Sequence, residues 1–150
     1  MTESQFIRKR CLEVIRKAAM NESSWEMTIL DAIHSSLSKR LKIKEGEYPI
    51  ISFFAGDRDW TIYTTRRLIG ESDGVSLEIE SEDFASWDYG NFKQDLDSPR
   101  VIEAVTQHKG RKAGIRYESG YASMAPIYYF RFWKIKWPVW KKTYELGNTA

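Results

Sequence analysis

Residues 127–144 read IYYFRFWKIKWPVWKKTY, a segment that holds eight aromatic and five basic side chains. A fully buried aromatic side chain removes about 150–250 Å² from water. At roughly 25 cal/mol per Å², each such ring contributes about 4–6 kcal/mol before entropy is subtracted. So many rings in one segment must form hydrophobic core, a binding surface, or both.

Side-chain character alternates across 127–137, which predicts a β-strand. One face of this strand would carry Ile127, Tyr129, Arg131, Trp133, Ile135 and Trp137. The other face would carry Tyr128, Phe130, Phe132, Lys134 and Lys136. We interpret the segment as the central strand of a curved sheet that helices cover, with only the lysine-bearing face left for a ligand. Pro138 suits the first turn of a short terminal helix over about 138–146, which closes one end of the core.

Two helices are predicted before the first strand. Apolar residues recur at helical spacing across 4–20, which indicates an amphipathic helix. Ser23-Ser24-Trp25-Glu26 has the form of a capping box, and an apolar stripe follows it up to Leu41. The sequence therefore predicts a helical pair over about 4–43.

The pattern changes from helix to strand at Pro49. Apolar or alternating segments at 50–55, 60–69, 75–79, 101–107 and 111–118 predict strands. Asp73-Gly74 is a strong hairpin signal between two of them. Helices followed by a run of strands indicate an α+β fold, with two N-terminal helices packed on a curved antiparallel sheet over about 49–137. A meander or a partial barrel would satisfy this pattern.

Bulk properties limit the class of protein. A chain of 150 residues with 42% hydrophobic and 29% charged residues fits a single globular domain over 1–150. Cys11 is the single cysteine, which excludes an internal disulfide. No apolar run approaches the roughly 20 residues that span a bilayer, and the polar N-terminus does not resemble a signal peptide. These features predict a cytoplasmic protein.

Charge is segregated along the chain. Residues 71–97 contain nine acidic residues and one basic residue, whereas residues 100–142 contain ten basic residues and two acidic ones. Complementary charges on neighbouring strands would explain this distribution by cross-strand pairing. An acidic face and a basic face with separate partners would also explain it.

The segment Trp60-Thr61-Ile62-Tyr63-Thr64-Thr65-Arg66-Arg67-Leu68-Ile69-Gly70 resembles the second strand of bacterial pleckstrin-homology-like domains. Ile50–Phe54 would then be the earlier strand, Val75–Ile79 the third, and Gly110–Tyr117 a later hairpin arm. The resemblance covers about 48–118. It implies a binding module without enzymatic activity, and it assigns a role to no individual residue.

Catalytic and metal-binding signatures are missing from the sequence. The two histidines, His34 and His108, lie 74 residues apart and neither belongs to a metal-ligand motif. Neither a G-x-S-x-G elbow nor a phosphate-binding or dinucleotide-binding loop occurs. Cys11 falls on the apolar face of the first helix, where it acts as a small hydrophobic residue. We therefore predict no catalytic residue, no metal and no cofactor.

Three functions remain open, and a non-catalytic protein-binding module is the first. Such a module could be an inhibitor, like a bacterial immunity protein, that neutralises a basic partner through an acidic face. The candidate residues are Glu78, Glu80, Glu82, Asp83 and Asp88. Electrostatic complementarity of this kind mainly raises association rate and specificity.

The other two functions depend on basic residues. A pleckstrin-homology-like adaptor would bind anionic lipid or a phosphorylated ligand through Arg66, Arg67, Lys109, Arg111 and Lys112. A single-stranded nucleic-acid binder would use the lysines and rings of 127–144, and a nuclease would need His34 and His108 to meet. Attachment to an anionic membrane surface through the same tail is a lesser alternative.

Overall fold

A computed structural model of the chain describes residues 1–88, 101–108 and 110–148. The helices are α1 (Glu3–Ala18), α2 (Met124–Arg131) and α3 (Trp137–Asn148), with a π-helical turn at Phe132–Lys136 between the last two. The strands are β1 (Thr28–Leu30), β2 (Pro49–Gly56), β3 (Asp59–Thr64), β4 (Arg67–Ser72), β5 (Val75–Glu80), β6 (Phe84–Asp88), β7 (Val101–His108) and β8 (Arg111–Glu118). Short 3-10 turns occupy Glu22–Ser24, Ser81–Asp83 and Gly120–Ser123.

The described strands form two antiparallel sheets, in the orders β1-β2-β3-β4-β5 and β6-β7-β8. Each strand pairs with its neighbour in the sequence within its sheet, so the predicted α+β class and the antiparallel pairing are confirmed. Asp73 and Gly74 both have positive φ, as their tight hairpin requires. Among the described helices, none combines the length and hydropathy that crossing a membrane demands.

The strand predicted at 60–69 is divided into β3 and β4. The hydroxyl of Thr64 accepts hydrogen bonds from the backbone N–H groups of Arg66 and Arg67, at 3.1 and 3.0 Å. This side-chain-to-backbone pattern is a turn that threonine favours. The chain therefore reverses at Thr65-Arg66 instead of continuing as one long strand.

The first helix is confirmed, and the second is wrong. Thr28, Ile29 and Leu30 pair with β2 as a short edge strand, and the following segment folds as turns up to residue 40. The apolar residues of the predicted second helix still contribute to the core, because Leu37 packs with Trp60 and Ile62 in a small cluster. Pairing with the edge of the sheet has overridden the local helical pattern.

The strand predicted at 127–137 is also wrong, since helical structure runs through Met124–Asn148. A segment in which most residues are apolar or aromatic fits the two-residue period of a strand and also the 3.6-residue period of a helix. Alternation alone therefore cannot decide between strand and helix. The prediction that these rings form core is confirmed. The buried members of the segment are Ile127, Tyr129, Phe130, Phe132, Trp133 and Trp137.

Tyr129 ties this aromatic helix to the larger sheet. Its hydroxyl donates to the carbonyl oxygen of Thr64 at 2.8 Å and lies 2.9 Å from the hydroxyl of Ser81. The ring contacts Tyr63 edge to face, with centroids 5.1 Å apart. The same core cluster includes Ile7, Cys11 and Ile15 of α1 and Ile115 of β8, so helices and both sheets share it.

We expect Tyr129→Phe to lower the free energy of unfolding by about 1–2 kcal/mol, because the Thr64 carbonyl would lose its buried donor. Urea denaturation followed by circular dichroism measures the change. Tyr128→Phe is the matched control, since no hydrogen bond of the Tyr128 hydroxyl occurs within the described residues, and its effect should stay below about 0.5 kcal/mol. Equal effects of the two variants would contradict this assignment.

Candidate functional site

A cavity of about 690 Å³ lies beside the N-terminal turn of α1. Its charged lining residues are Glu3, Arg66, Glu80, Glu82 and Asp83. Its apolar wall includes Ile7, Tyr48 and Trp133. Three of the five acidic residues predicted to bind a partner therefore line one concave site, together with one of the arginines predicted to bind an anion.

The acidic side of the cavity is positioned by the end of β5. There the chain enters the short 3-10 turn Ser81–Asp83. Ser81 is buried, its hydroxyl contacts the Tyr129 hydroxyl, and its N–H donates to the carbonyl oxygen of Arg66 at 2.8 Å. This anchoring leaves the adjacent Glu80 and Glu82 exposed at the rim.

The opposite side is the turn between β3 and β4. Thr65 is held to Tyr48 by backbone and side-chain hydrogen bonds, whereas the side chain of Arg66 is exposed. The guanidinium passes over Gly46, where an added Cβ would lie 3.6 Å from Nη2 of Arg66. Across the described segments, no carboxylate forms an ion pair with Arg66.

Negative charge dominates the cavity. Among the described lining residues, four carboxylates (Glu3, Glu80, Glu82 and Asp83) and one guanidinium give a formal charge of −3. At the rim, Nζ of Lys141 lies 3.3 Å from a carboxylate oxygen of Glu82, and this hydrogen bond raises the pKa of Lys141. The pair is exposed, so it constrains Glu82 only weakly.

Two other predicted site residues, Arg67 and Glu78, belong to an ion-pair network with Glu47, in which Arg67 and Glu47 are buried and Glu78 is exposed. Nε of Arg67 lies 2.9 Å from Glu47, and its Nη1 lies 2.9 Å from Glu78. Arg67 is only 6% exposed. The sequence predicts that Arg67 binds an anionic ligand, but in the structure its guanidinium is buried and already pairs with the carboxylates of Glu47 and Glu78.

Glu47 is the fully buried member of this network. Burial acts to raise its pKa, but hydrogen bonds from Arg67, Thr64 and the backbone N–H of Lys44 outweigh burial and lower it. The hydroxyl of Thr64 donates to Glu47 at 2.7 Å. The network holds the two ends of the β3–β4 turn, which contains Arg66, in place.

The remaining predicted residues lie elsewhere or fall outside the described part of the chain. Arg111 and Lys112 are exposed at the start of β8 and do not line the cavity. Lys109 lies outside the described residues, and so do the side chains of Asp88 and His108. The predicted basic set is therefore not gathered around Arg66 in the part of the chain that is described.

Glu3 joins the acidic group although no sequence pattern indicates it. This residue lies in the first turn of α1, where acidic residues are common because they complement the helix dipole. It reaches the cavity only because α1 packs against the core through Ile7 and Ile15. Tyr48 and Trp133 reach the cavity in the same way, by tertiary packing.

His34 and Cys11, two described residues of types common in catalytic and metal sites, have structural contacts instead. Nδ1 of His34 accepts the Ser36 N–H at 3.2 Å, and its ring stacks on Phe54 with centroids 5.0 Å apart. Cys11 is buried, and burial raises the pKa of its thiol well above the usual value, which disfavours a thiolate. Among described side chains, no three His, Cys, Asp or Glu residues are grouped so that they could hold a metal ion.

No protein-family model, curated protein or solved structure matches this chain. The similarity of residues 48–118 to pleckstrin-homology-like domains stays a prediction. Function is therefore inferred from the geometry and charge of the cavity.

Proposed function

We propose that this protein is a non-catalytic binding protein whose acidic cavity receives a basic segment of a partner protein. The observation that carries the proposal is the convergence of Glu3 with Glu80, Glu82 and Asp83 around one cavity of about 690 Å³. Acidic residues distant in the sequence form a concave and negatively charged site there. Ligand pockets typically enclose about 300–1,000 Å³, so the cavity is large enough for one or two side chains.

The cavity combines carboxylates with apolar surface, which suits arginine or lysine. These side chains cover apolar surface with their methylene groups while the charged end stays among polar groups. In this site the stem would lie along Tyr48 and Ile7, and the cationic end would reach the carboxylates of Glu80 and Glu82. A guanidinium could bind a carboxylate with two hydrogen bonds, which adds geometric specificity.

A neutralising inhibitor is the specific form that we propose for this binding protein. An inhibitor of the immunity type covers the working surface of its target, and a basic target would be attracted by a cavity with a formal charge of −3. The attraction would raise the association rate more than the final affinity. Such a role needs neither a nucleophile nor a metal.

The adaptor alternative receives less support from the cavity. Arg66 is exposed and could contact an anion, but four carboxylates surround the same space. Like charges disfavour an anionic ligand, and Arg67 is committed to Glu47 and Glu78. A phosphorylated ligand would therefore meet repulsion at this site.

The proposal is tested by selecting peptides from a random display library on the immobilised full chain. We expect the enriched peptides to contain arginine or lysine beside an apolar residue. Glu80→Gln/Glu82→Gln should weaken the best synthetic peptide about tenfold in calorimetric titration, because two rim charges contribute about 0.2–1 kcal/mol each.

The matched control is Glu22→Gln/Glu26→Gln, which removes two exposed glutamates that do not line the cavity. This control should bind the peptide with unchanged affinity. Enrichment of acidic peptides, or the same loss of affinity in both double variants, would rule out the acidic cavity as the binding site.

A further inference from the structure

A second concave surface lies at the other end of α1 and carries the opposite charge. A groove of about 460 Å³ runs between α1 and the C-terminal helical segment, and a smaller hollow of about 260 Å³ adjoins it. The two share Arg131 and Ile135. Their charged lining residues are Lys17, Arg131, Lys134 and Lys136, and no described carboxylate lines either one.

The C-terminal helical segment also exposes aliphatic side chains on this surface. Ile135 is 50% exposed, and Val139, four residues later, is 63% exposed. Residues four apart lie on the same side of a helix. Two exposed aliphatic side chains beside several cations give this side of the molecule an amphipathic character.

The π-helical turn explains why these residues face outwards. The N–H of Trp137 donates to the carbonyl oxygen of Phe132, five residues earlier, so the turn accommodates one extra residue. Phe132, Trp133 and Trp137 are thereby all buried. The residues between them, at 134–136, are left exposed as Lys-Ile-Lys.

Stacked nucleic-acid bases fit this surface poorly. The guanidinium of Arg131 lies over the ring of Tyr128, with 5.4 Å between Cζ and the centroid, and that of Arg10 lies 5.3 Å from the centroid of Trp140. Both rings are also partly buried. Stacking platforms need open ring faces, whereas the exposed groups here are aliphatic chains and cations.

We propose that this face, formed by Arg131, Lys134, Ile135, Lys136 and Val139, binds the surface of anionic lipid bilayers. Amphipathic basic helices lie in the membrane interface with their apolar residues inserted to the depth of the acyl boundary. Ile135 and Val139 are exposed enough to insert in this way. The cations around them complement the negative surface of a phosphatidylserine-containing leaflet.

The acidic cavity does not oppose this orientation. Ser4 lines the cavity and Val14 lines the basic groove, so ten residues of α1 separate them. At 1.5 Å per residue that is about 15 Å, and the Debye length at physiological salt is about 8 Å. Glu3, the carboxylate that α1 contributes to the cavity, is therefore largely screened from an anionic membrane that contacts the basic face, and Glu82 is paired with Lys141.

Vesicle co-sedimentation of the full chain tests the proposal. We expect binding at about 0.1 M salt to vesicles of phosphatidylcholine and phosphatidylserine in a ratio of about 7 to 3, and little binding to pure phosphatidylcholine. Lys134→Gln/Lys136→Gln and Ile135→Ser/Val139→Ser should each lower the partition coefficient about tenfold or more.

Two control variants make the same kinds of substitution, lysine to glutamine and valine to serine, on other surfaces. Lys39→Gln/Lys44→Gln removes two exposed lysines, and Val75→Ser removes a valine that is 68% exposed in the β4–β5 hairpin. Both controls should bind vesicles as the parent chain does. Failure of the parent chain to bind the mixed vesicles, or equal losses in test and control variants, would overturn the proposal. Binding of a single-stranded oligonucleotide without any vesicle binding would also overturn it. The outcome is independent of peptide binding by the acidic cavity.

Discussion

Arg67→Met is expected to lower the free energy of unfolding by about 3–5 kcal/mol, because it leaves the buried carboxylate of Glu47 without its cation. The side chain of Glu47 is fully buried, and Arg67 binds it through Nε at 2.9 Å and through Nη2 at 3.2 Å. Burying an unpaired charge costs the folded protein far more free energy than having no charge at that position. Urea denaturation at neutral pH measures the loss.

The matched control is the double variant Glu47→Leu/Arg67→Met, which removes both charges. Replacing a buried ion pair by apolar residues is often close to neutral, so the double variant should be more stable than Arg67→Met alone. The hydroxyl of Thr64 would lose one acceptor but keep the carbonyl oxygen of Arg67, 3.0 Å away. Additive effects of the two single substitutions would show that Glu47 and Arg67 are not energetically coupled.

The same pair predicts how stability depends on pH. The pKa of Glu47 is lowered from 4.5 in the folded protein. A lowered folded-state pKa stabilises the protein above the unfolded value, and that contribution is lost as the pH falls through the folded-state pKa. The parent chain should therefore lose stability below about pH 4.5, and the double variant should lose less over the same range, because it lacks this carboxylate.

The strands are the part of the fold that local sequence specifies best. Alternation and turn residues such as Asp73-Gly74 predict β2, β5, β7 and β8, and those signals act over a few residues. The secondary structure of the aromatic segment 127–144 is harder to predict, because its aromatic residues fit the spacing of a helix as well as that of a strand. Its secondary structure depends on contacts with α1 and with Thr64, which are distant in the sequence.

The candidate site shows the same division between local and distant information. The clustered charges of Glu80, Glu82 and Asp83 indicate an acidic surface from the sequence alone. Charge counting does not reveal that Glu78 pairs with Arg67, or that Glu3 joins the group. Those outcomes depend on which side chains the packed helix and the β3–β4 turn bring together.

Glu118 explains why the predicted second helix does not form. Glu118 is 1% exposed, and its carboxylate accepts hydrogen bonds from the N–H groups of Glu26 and Met27 and from the Thr28 hydroxyl, at 3.0, 2.9 and 2.8 Å. In a helix that began at Ser23 or Ser24, these N–H groups would lie in the first turns. Here the carboxylate binds them instead, and the chain enters β1 in an extended conformation.

Glu118→Ala should therefore lower the free energy of unfolding by about 3 kcal/mol, because it removes three hydrogen bonds to a charged group, each worth about 1.5–3 kcal/mol alone and not additive. Denaturant unfolding gives the total loss of stability, and amide hydrogen exchange at Met27 shows whether the loss is local to β1.

The control is Glu26→Ala, which would lower the free energy of unfolding if a capping box operated. The Glu26 side chain is exposed, so this control should change stability by less than about 0.5 kcal/mol. A larger loss for Glu26→Ala than for Glu118→Ala would mean that the local helix signal, and not the buried carboxylate, determines the conformation of this segment.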